Sequence, residues 1–356
     1  MNVFLIDKYL LLSFIKKLIN TLFVFVIIFL IVDIIEDIDK IIDNRVAFKD
    51  ASMLYLYSIP QYINIAFPMS ILISTVMTFT IFQQHNELTA FKAAGISVFR
   101  LTIPFILVGI ISSISLFYFE NLIVTKSTTV KSDLEVKCFK KGKKKQQNSN
   151  ILIQLDKNRV ASIEKFNHTD NVAKNVSIQK FQDNIMLSRL DIKKMKWNES
   201  SWDGEDVIYR TFSSKPIYYS ISDTVLNLSI DPIDLIETNT DPDEMNYWAL
   251  QSFINRLQNN GKEYNKWLVD LHFKVAFAFS NMLMVIFGIA LSIQRPRSNL
   301  LGGIGASIFM IFLYYIMIKF GQTMGYKGIV NPMLSVWSAN ILFFVSGILL
   351  LYRTRT

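Results

Sequence analysis

The chain has 356 residues, a formal net charge of +8, and a composition that is 51% hydrophobic and 19% charged. This balance is too apolar for an ordinary soluble protein and too charged for a chain buried throughout in a membrane, so we expect both kinds of region. The single cysteine, Cys138, excludes an intrachain disulfide, so an extramembrane domain must be stabilised by its own core. Positive charge beside apolar segments is more typical of membrane topology than of nucleic-acid binding, and we expect no nucleic-acid partner.

Six apolar segments approach the ~20 residues that a membrane-spanning helix needs. They are residues 18–35, 62–82, 101–119, 268–293, 301–320 and 333–352. The first lacks the cleavage site of a signal peptide and is predicted to be retained. The isoleucine pairs within DIIEDIDKIIDN predict that its helix continues as an amphipathic extension. The chain is therefore predicted to be a helical membrane protein with six transmembrane helices.

The region between the third and fourth spans has lower hydropathy and a different periodicity. Runs such as NILIQL, RVASIEKF and NVSIQKF are short, rich in β-branched and aromatic residues, and separated by Asn, Asp, Gly and Ser. We predict an inserted all-β domain of the sandwich or jelly-roll type, and a helix that leads back to the membrane. The predicted organisation is residues 1–119 with spans one to three, 120–267 with the β domain, and 268–356 with spans four to six.

The distribution of Lys and Arg near the span ends predicts the topology. One side has an excess of basic residues, namely Lys8, Lys16, Lys17, Lys92, Arg100, Arg295, Arg297, Arg353 and Arg355. The other side has six carboxylates between residues 33 and 50. The positive-inside rule therefore places both termini in the cytoplasm and the β domain outside it.

The connection between the second and third spans has the composition of a short capped helix. Asn86 is suited to cap its first turn, Glu87 places a carboxylate at the positive end of the helix dipole, and Gly95 supplies a C-terminal stop. Leu88 and Phe91 fall on one face of the helix. Two interpretations remain open here: a simple connector between spans, or a helix that docks into a partner.

The sequence offers little evidence of catalytic chemistry. It contains no G-x-x-x-x-G-K-[ST] phosphate-binding run, so we predict no bound cofactor, and its three histidines lack metal-ligand spacing, so we predict no metal site. Lys274 in the fourth span is expected to face a cavity or a partner, with snorkelling to the interface as the alternative. Snorkelling is the preferred interpretation for Lys319. The GxxxG run at 321–325 is too common a pattern to assign a dimer face.

Several blocks of sequence resemble the LptF/LptG permease family, the membrane subunits that extract lipopolysaccharide from the inner membrane of Gram-negative bacteria. The blocks are DKY at 7–9, FPMSILIS at 67–74, NELTAFKAAGIS at 86–97 and NPMLSVWSANILF at 331–343, together with the β domain between spans three and four. The DKY opening favours LptG over LptF. The resemblance covers essentially the whole chain.

The resemblance implies a permease subunit of an ABC transporter in the inner membrane that pairs with a homologous, LptF-like subunit. It implies that the β domain is a periplasmic jelly roll, and that lipopolysaccharide passes to LptC-like and LptA-like bridge proteins. Residues 86–95 would be the coupling helix that sits in a groove of a cytoplasmic, LptB-like ATPase dimer, which binds the ATP. The coupling residues implied are Glu87, Leu88, Phe91, Lys92 and Gly95.

The resemblance also concerns the charges near the outer ends of the spans. Asp33 occupies a position where the family's LptG has a basic residue that faces the lipid phosphates, so either Lys40 takes over that role or the headgroup chemistry differs. Lys131 falls where the family has an Arg. The predicted lipid-binding residues are Lys40, Lys131, Lys137, Lys140, Lys141 and Lys274. For the basic run 137–145 a solvated loop remains the alternative.

A function of a different class is a membrane-anchored envelope protein whose β domain binds other proteins without transport. Such an anchor needs one span rather than six and no capped cytoplasmic helix. The sequence therefore favours the permease.

Overall fold

The computed structural model describes residues 3–139, 147–156, 158–167, 170–182, 185–198, 200–212, 217–226, 228, 232, 241–259, 263–293 and 300–353. The chain divides into two compact units. The helical unit comprises Met1–Phe139, Pro242–Gln251 and Asn265–Thr356, and the β unit comprises Lys140–Asp241 and Ser252–Tyr264.

The described α-helices, in chain order, are α1 Val3–Asp43, α2 Phe48–Gln84, α3 Glu87–Ala93, α4 Val98–Phe119, α5 Thr125–Cys138, α6 Tyr247–Asn259, α7 Asn265–Ile293, α8 Leu300–Tyr326 and α9 Pro332–Arg353. A π-helical turn, Glu120–Val124, joins α4 to α5. Six helical segments are long and apolar enough to cross a membrane, which confirms the predicted class of protein. The predicted helical extension of the first span is present, because α1 continues to Asp43.

The helix of the third span is longer than its hydropathy indicated. It continues through the π-helical turn and the polar α5 to Cys138, past residue 119, where the β domain was predicted to begin. The extension is helical because α5 packs against α2 and so has tertiary contacts that its low hydropathy does not indicate.

α7 lies at the centre of the helical unit and packs against α2, α4, α8 and α9. Its contact with α2 is close because a Cβ at Gly288 would lie 2.6 Å from the Cβ of Thr75. Polar side chains fix the other contacts: the buried Asn281 amide donates to the carbonyl of Ser112 at 3.1 Å, and the amide of Asn340 donates to a carbonyl of α7 at 2.8 Å. Small residues and buried amides are the usual means of joining helices in a membrane.

The GxxxG run lies in α8 and packs within the chain. A Cβ at Gly321 would lie 2.1 Å from the carbonyl oxygen of Ser335 in α9, and one at Gly325 would lie 2.3 Å from the hydroxyl oxygen of the same residue. The two glycines therefore allow α8 and α9 to approach closely.

The β unit contains six antiparallel strands: β1 Gln147–Asp156, β2 Arg159–Asn167, β3 Val172–Gln182, β4 Ile185–Asn198, β5 Ser201–Thr211 and β6 Ile217–Leu226. Each strand pairs with the next one in the chain, so the described strands form one curled meander. The predicted inserted β domain is confirmed. Its connectivity among these strands is simpler than the Greek-key order of a jelly roll.

A row of β-branched residues crosses the inner face of this sheet. Its members lie directly opposite one another on five consecutive strands and are all buried: Ile151, Ile163, Val176, Ile192 and Val207. Cross-strand pairs of this kind are the main stabilising contacts of a sheet.

Two kinks bend the sheet beside this row. Asn175 in β3 and Asp206 in β5 have φ angles of 53° and 54°, and they and the residues facing them are left out of the regular pairing. The kink at Asn175 is accompanied by a change in which residues of β2 face inward. Inward residues of a regular strand lie two apart, but Phe166 is buried three residues after the buried Ile163. Asn and Asp tolerate the left-handed conformation better than other residues with a side chain, which explains their presence inside strands.

Candidate functional site

The predicted coupling helix is α3, and its C-terminal stop is the one expected. The N–H of Gly95 donates to the carbonyl of Lys92 at 2.9 Å, and the N–H of Ile96 donates to that of Phe91 at 3.0 Å. This is a Schellman ending, and Gly95 has the positive φ, 79°, that the ending requires. The predicted side-chain cap is wrong: Asn86 lies in the left-handed region and makes no capping hydrogen bond.

The apolar face of α3 packs on this chain itself. Leu88 is only 7% exposed and belongs to the same core cluster as Ile6 and Leu10 of α1, while Phe91 is half-buried against that cluster. Leu88 therefore anchors α3 to the spans, and Phe91 packs on them with part of its ring. The exposed residues of α3 are Thr89, Ala90, Lys92 and Ala93.

The first turns of α1 hold both ends of the connection that contains α3. Asp7 accepts two hydrogen bonds from the guanidinium of Arg100, at 3.1 and 2.7 Å. The hydroxyl of Tyr9 donates to Oε1 of Glu87 at 3.3 Å, and its ring stacks on Phe82 with 5.7 Å between centroids. The DKY block therefore has a structural role: it connects α1 to the beginning of α3 and to the beginning of α4.

A charged cluster lies toward the other end of α1. Nζ of Lys131 is 3.8 Å from Asp33 and 3.9 Å from Glu135, and Asp33 also accepts a hydrogen bond from the hydroxyl of Tyr62. Asp33 and Lys131 are thus brought together. We name Asp33, Tyr62, Lys131 and Glu135 the outer cluster, because the predicted topology places this end of α1 outside the cytoplasm.

The other predicted lipid-binding residues have different environments. Lys40 pairs with Asp37, and Lys137 pairs with Asp50 at 3.1 Å; both lysines are exposed at the surface. Lys140 and Lys141 lie outside the described residues. Each predicted lipid-binding lysine that the structure describes therefore already has a carboxylate neighbour in this chain.

Lys274 is enclosed by the chain's own helices. Its side chain is 3% exposed, and its Nζ lies 3.0 Å from Oε1 of Glu120, at the beginning of the π-helical turn. The ammonium group is thus paired inside the helical unit, and the lipid contact expected of Lys274 stays a prediction. Glu120 was not identified from the sequence, where it was assigned to the β domain.

A second polar network in the spans was also missed. The buried carboxylate of Asp270 in α7 accepts hydrogen bonds from the amide of Gln322, at 2.9 Å, and from the hydroxyl of Tyr326. Lys319 donates to the same glutamine at 3.0 Å, so it has a partner in its own helix beyond the snorkelling that we expected. An acidic residue within an apolar segment was the available signal for Asp270.

The β unit contains an open cavity of about 750 Å³ at one end of the sheet. Apolar side chains of Ile178, Leu190 and Tyr209 line it together with charged residues that include Asp156 and Lys180. The N–H of Asn158, 2.9 Å from the carboxylate, and the Arg159 guanidinium hold the pKa of Asp156 below its usual range. Apolar walls with charged groups beside them suit an amphipathic ligand.

One comparison with known proteins gives a match over nearly the whole chain. The model of the family described as lipopolysaccharide export system permease LptF/LptG matches residues 8–353, which include all six spans and the β unit. A comparison with curated proteins gives no match. Six spans, an inserted β domain and a match over nearly the full length lead to one conclusion: the chain belongs to the LptF/LptG family and is a multi-pass membrane permease component of lipopolysaccharide export.

Proposed function

We propose that this chain is one of two permease subunits of an ABC transporter that extracts lipopolysaccharide from the inner membrane, driven by a separate cytoplasmic ATPase. The observation that carries the proposal is the placement of α3: it is anchored on the spans by Leu88 and still exposes Thr89 and Lys92. A helix of seven residues is marginal alone in water, so its order depends on this anchoring. The exposed side is then available to an LptB-like ATPase dimer.

Pairing with a homologous, LptF-like subunit is supported by the unburied apolar surface of the spans. In the described helix α1, none of the most apolar 18 residues is buried, and α8 is also largely unburied. A single subunit therefore presents two spans with little cover from its own chain. A cavity between two such subunits is the proposed site of lipid extraction.

The proposed lipid path runs from the outer cluster to the β unit, and from there to LptC-like and LptA-like bridge proteins. The cavity beside Ile178 supports a role in holding apolar chains. The orientation proposed with this path places both termini in the cytoplasm and the β unit in the periplasm, and it rests on the distribution of Lys and Arg.

The proposal is tested by charge reversal on α3 in the assembled complex. Lys92→Glu changes an exposed side chain, so it should reduce ATPase co-purification or lipid transport while the chain remains at its normal level. Glu87→Lys should do the same, because it also places a positive charge at the positive end of the helix dipole. Tyr9→Phe is the matched control for ATPase co-purification, since it removes the internal hydrogen bond to Glu87 and leaves the charges of α3 unchanged.

A second control is Asp43→Lys, which reverses an exposed charge at the far end of α1 and should leave the ATPase bound. Normal transport with a fully bound ATPase in both α3 variants would show that α3 is only a connector between two spans.

A further inference from the structure

We propose that the Asp7–Arg100 ion pair is a positioning contact that transmits movement of the coupling segment, residues 85–97, to α1. The inference rests on the proposed function, because it takes the coupling segment as the place where the ATPase acts. It adds a route from that segment to α1, whose most apolar residues are the least buried of the six spans.

The geometry joins α1 to both ends of the coupling segment. Arg100 lies in the first turn of α4, where its N–H donates to the hydroxyl oxygen of Ser97 at 3.3 Å. Its guanidinium makes two hydrogen bonds to Asp7, and Tyr9, two residues further along α1, bonds to Glu87 at the start of α3. A displacement of the coupling segment therefore acts on α1 at two neighbouring points.

The Asp7–Arg100 pair is the stronger of these two links. A planar guanidinium with two parallel bonds to a carboxylate fixes direction as well as distance, whereas the Tyr9 bond is single and long. The side chains of Arg100 and Asp7 are 35% and 26% exposed, so water screens the pair only in part.

α1 is suited to carry the movement onward. It is one continuous helix of 41 residues, and among the described elements it packs mainly on α2. Asp33, toward its far end, is part of the outer cluster and pairs with Lys131. One rigid helix therefore connects the coupling segment with the charges nearest the proposed lipid path.

The test uses the assembled transporter in lipid nanodiscs with lipopolysaccharide, and measures lipid released per ATP hydrolysed. Asp7→Asn should lower this ratio several-fold, with the ATPase bound and hydrolysing ATP at a normal rate. The charge swap Asp7→Arg with Arg100→Asp should restore most of the ratio. Glu205→Gln is the matched control, because it breaks the Lys194–Glu205 pair within the β unit, which the proposed route does not use.

A distance measurement separates transmission from simple stabilisation. Spin labels at Asp43→Cys in α1 and Lys327→Cys, just after α8, should change separation when an ATP analogue binds, in the wild type and the swap but not in Asp7→Asn. If Asp7→Asn reduces the amount of complex, Arg100→Lys replaces it, since that variant keeps the charge and loses the two-bond geometry.

A normal ratio in the single variants, a swap that fails to restore it, or loss of ATPase binding in parallel with transport would each overturn the proposal. Failure of the proposed function gives a different pattern: the Lys92→Glu and Glu87→Lys variants would then transport normally, whatever the Asp7 variants do.

Discussion

Lys274 of α7 and Glu120 of the π-helical turn form an ion pair of 3.0 Å between the fourth and third spans. Their side chains are 3% and 10% exposed, so both charges are removed from solvent. Among the described residues, Oε2 of Glu120 has no hydrogen-bond partner. The carboxylate therefore depends on the lysine for its compensation.

Breaking this pair should destabilise the chain more than removing it. Lys274→Met leaves a buried, unpaired carboxylate and should cost about 3–5 kcal/mol, whereas Lys274→Met with Glu120→Gln should recover most of that. Thermal unfolding of the purified chain in detergent measures both. The control is Lys137→Met, which breaks a more exposed pair and should cost ~1 kcal/mol or less. Equal losses in the single and double variants would contradict the dependence of Glu120 on Lys274.

The contact between α8 and α9 should not accept a side chain at Gly321. A Cβ there would lie 2.1 Å from the backbone oxygen of Ser335, so Gly321→Ala should force the helices apart and cost about 1–3 kcal/mol. Gly305→Ala in the same helix is the matched control, because a Cβ there meets nothing within 4 Å. That control should be neutral or stabilising by ~0.5–1 kcal/mol, as measured by unfolding in detergent.

The kinks of the β sheet should tolerate glycine better than a β-branched residue. Asn175→Val places a β-branched residue at a φ of 53° and should cost ~1–2 kcal/mol more than Asn175→Gly. Both variants lose the hydrogen bond from the Asn175 amide to Glu164, so their difference isolates the backbone conformation. The pair Asp206→Val and Asp206→Gly should behave alike. Scanning calorimetry of the whole chain tests this, and a valine variant as stable as its glycine partner would be inconsistent with the kink.

Charge changes at Lys131 and at Asp33 of the outer cluster should have opposite effects on lipid binding. Lys131→Glu should weaken crosslinking of lipopolysaccharide to the complex while assembly stays intact, because three carboxylates then meet at one place. Asp33→Asn should strengthen crosslinking, since it releases part of the lysine's charge. Both effects should decrease at high salt. Crosslinking that is unchanged in both variants would remove Lys131 from the proposed lipid path.

The proposed topology can be tested by thiol labelling in a Cys138→Ser background. Cysteines at Ser200 and Asn331 should react with a membrane-impermeant reagent in intact bacterial cells with a permeabilised outer membrane, and one at Ser97 should not. All three positions are exposed on the chain, so lack of labelling is not due to burial. Labelling at Ser97 would overturn the orientation, and with it the coupling role of α3.

The sequence was sufficient for elements whose stability is local or periodic. Six apolar segments and the alternation of β-branched residues were enough to predict the spans and the inserted sheet, and Gly95 marked the end of α3 because the Schellman ending needs a positive φ. The structure added what depends on distant contacts. Glu120 and Lys274 are 154 residues apart, and no local pattern relates them. Hydropathy also did not predict that α5 is helical, because contacts with α2 rather than its own composition support this helix.

Three of the spanning helices are longer than a bilayer requires, so they offer surface to the lipid beyond the membrane on the proposed path. The spanning segments Leu5–Asp43, Phe48–Gln84 and Phe99–Cys138 have 39, 37 and 40 residues, or ~55–60 Å each at 1.5 Å per residue. The hydrocarbon layer is ~30 Å thick, so each helix extends beyond it, and the Lys137–Asp50 pair joins the ends of two of them on the side that the proposed topology places in the periplasm.

The helix surface beyond the bilayer is not purely polar. Ile35, Ile38 and Ile42 are exposed and share one face of α1 at spacings of three and four residues, beside the carboxylates of the same segment. If the lipid follows the proposed path along this face, its acyl chains still meet apolar surface while its headgroup stays near charged side chains. On the proposed path, the passage from oil to water would thereby be spread over the ~12 Å of helix between Ile35 and Asp43 instead of a single boundary.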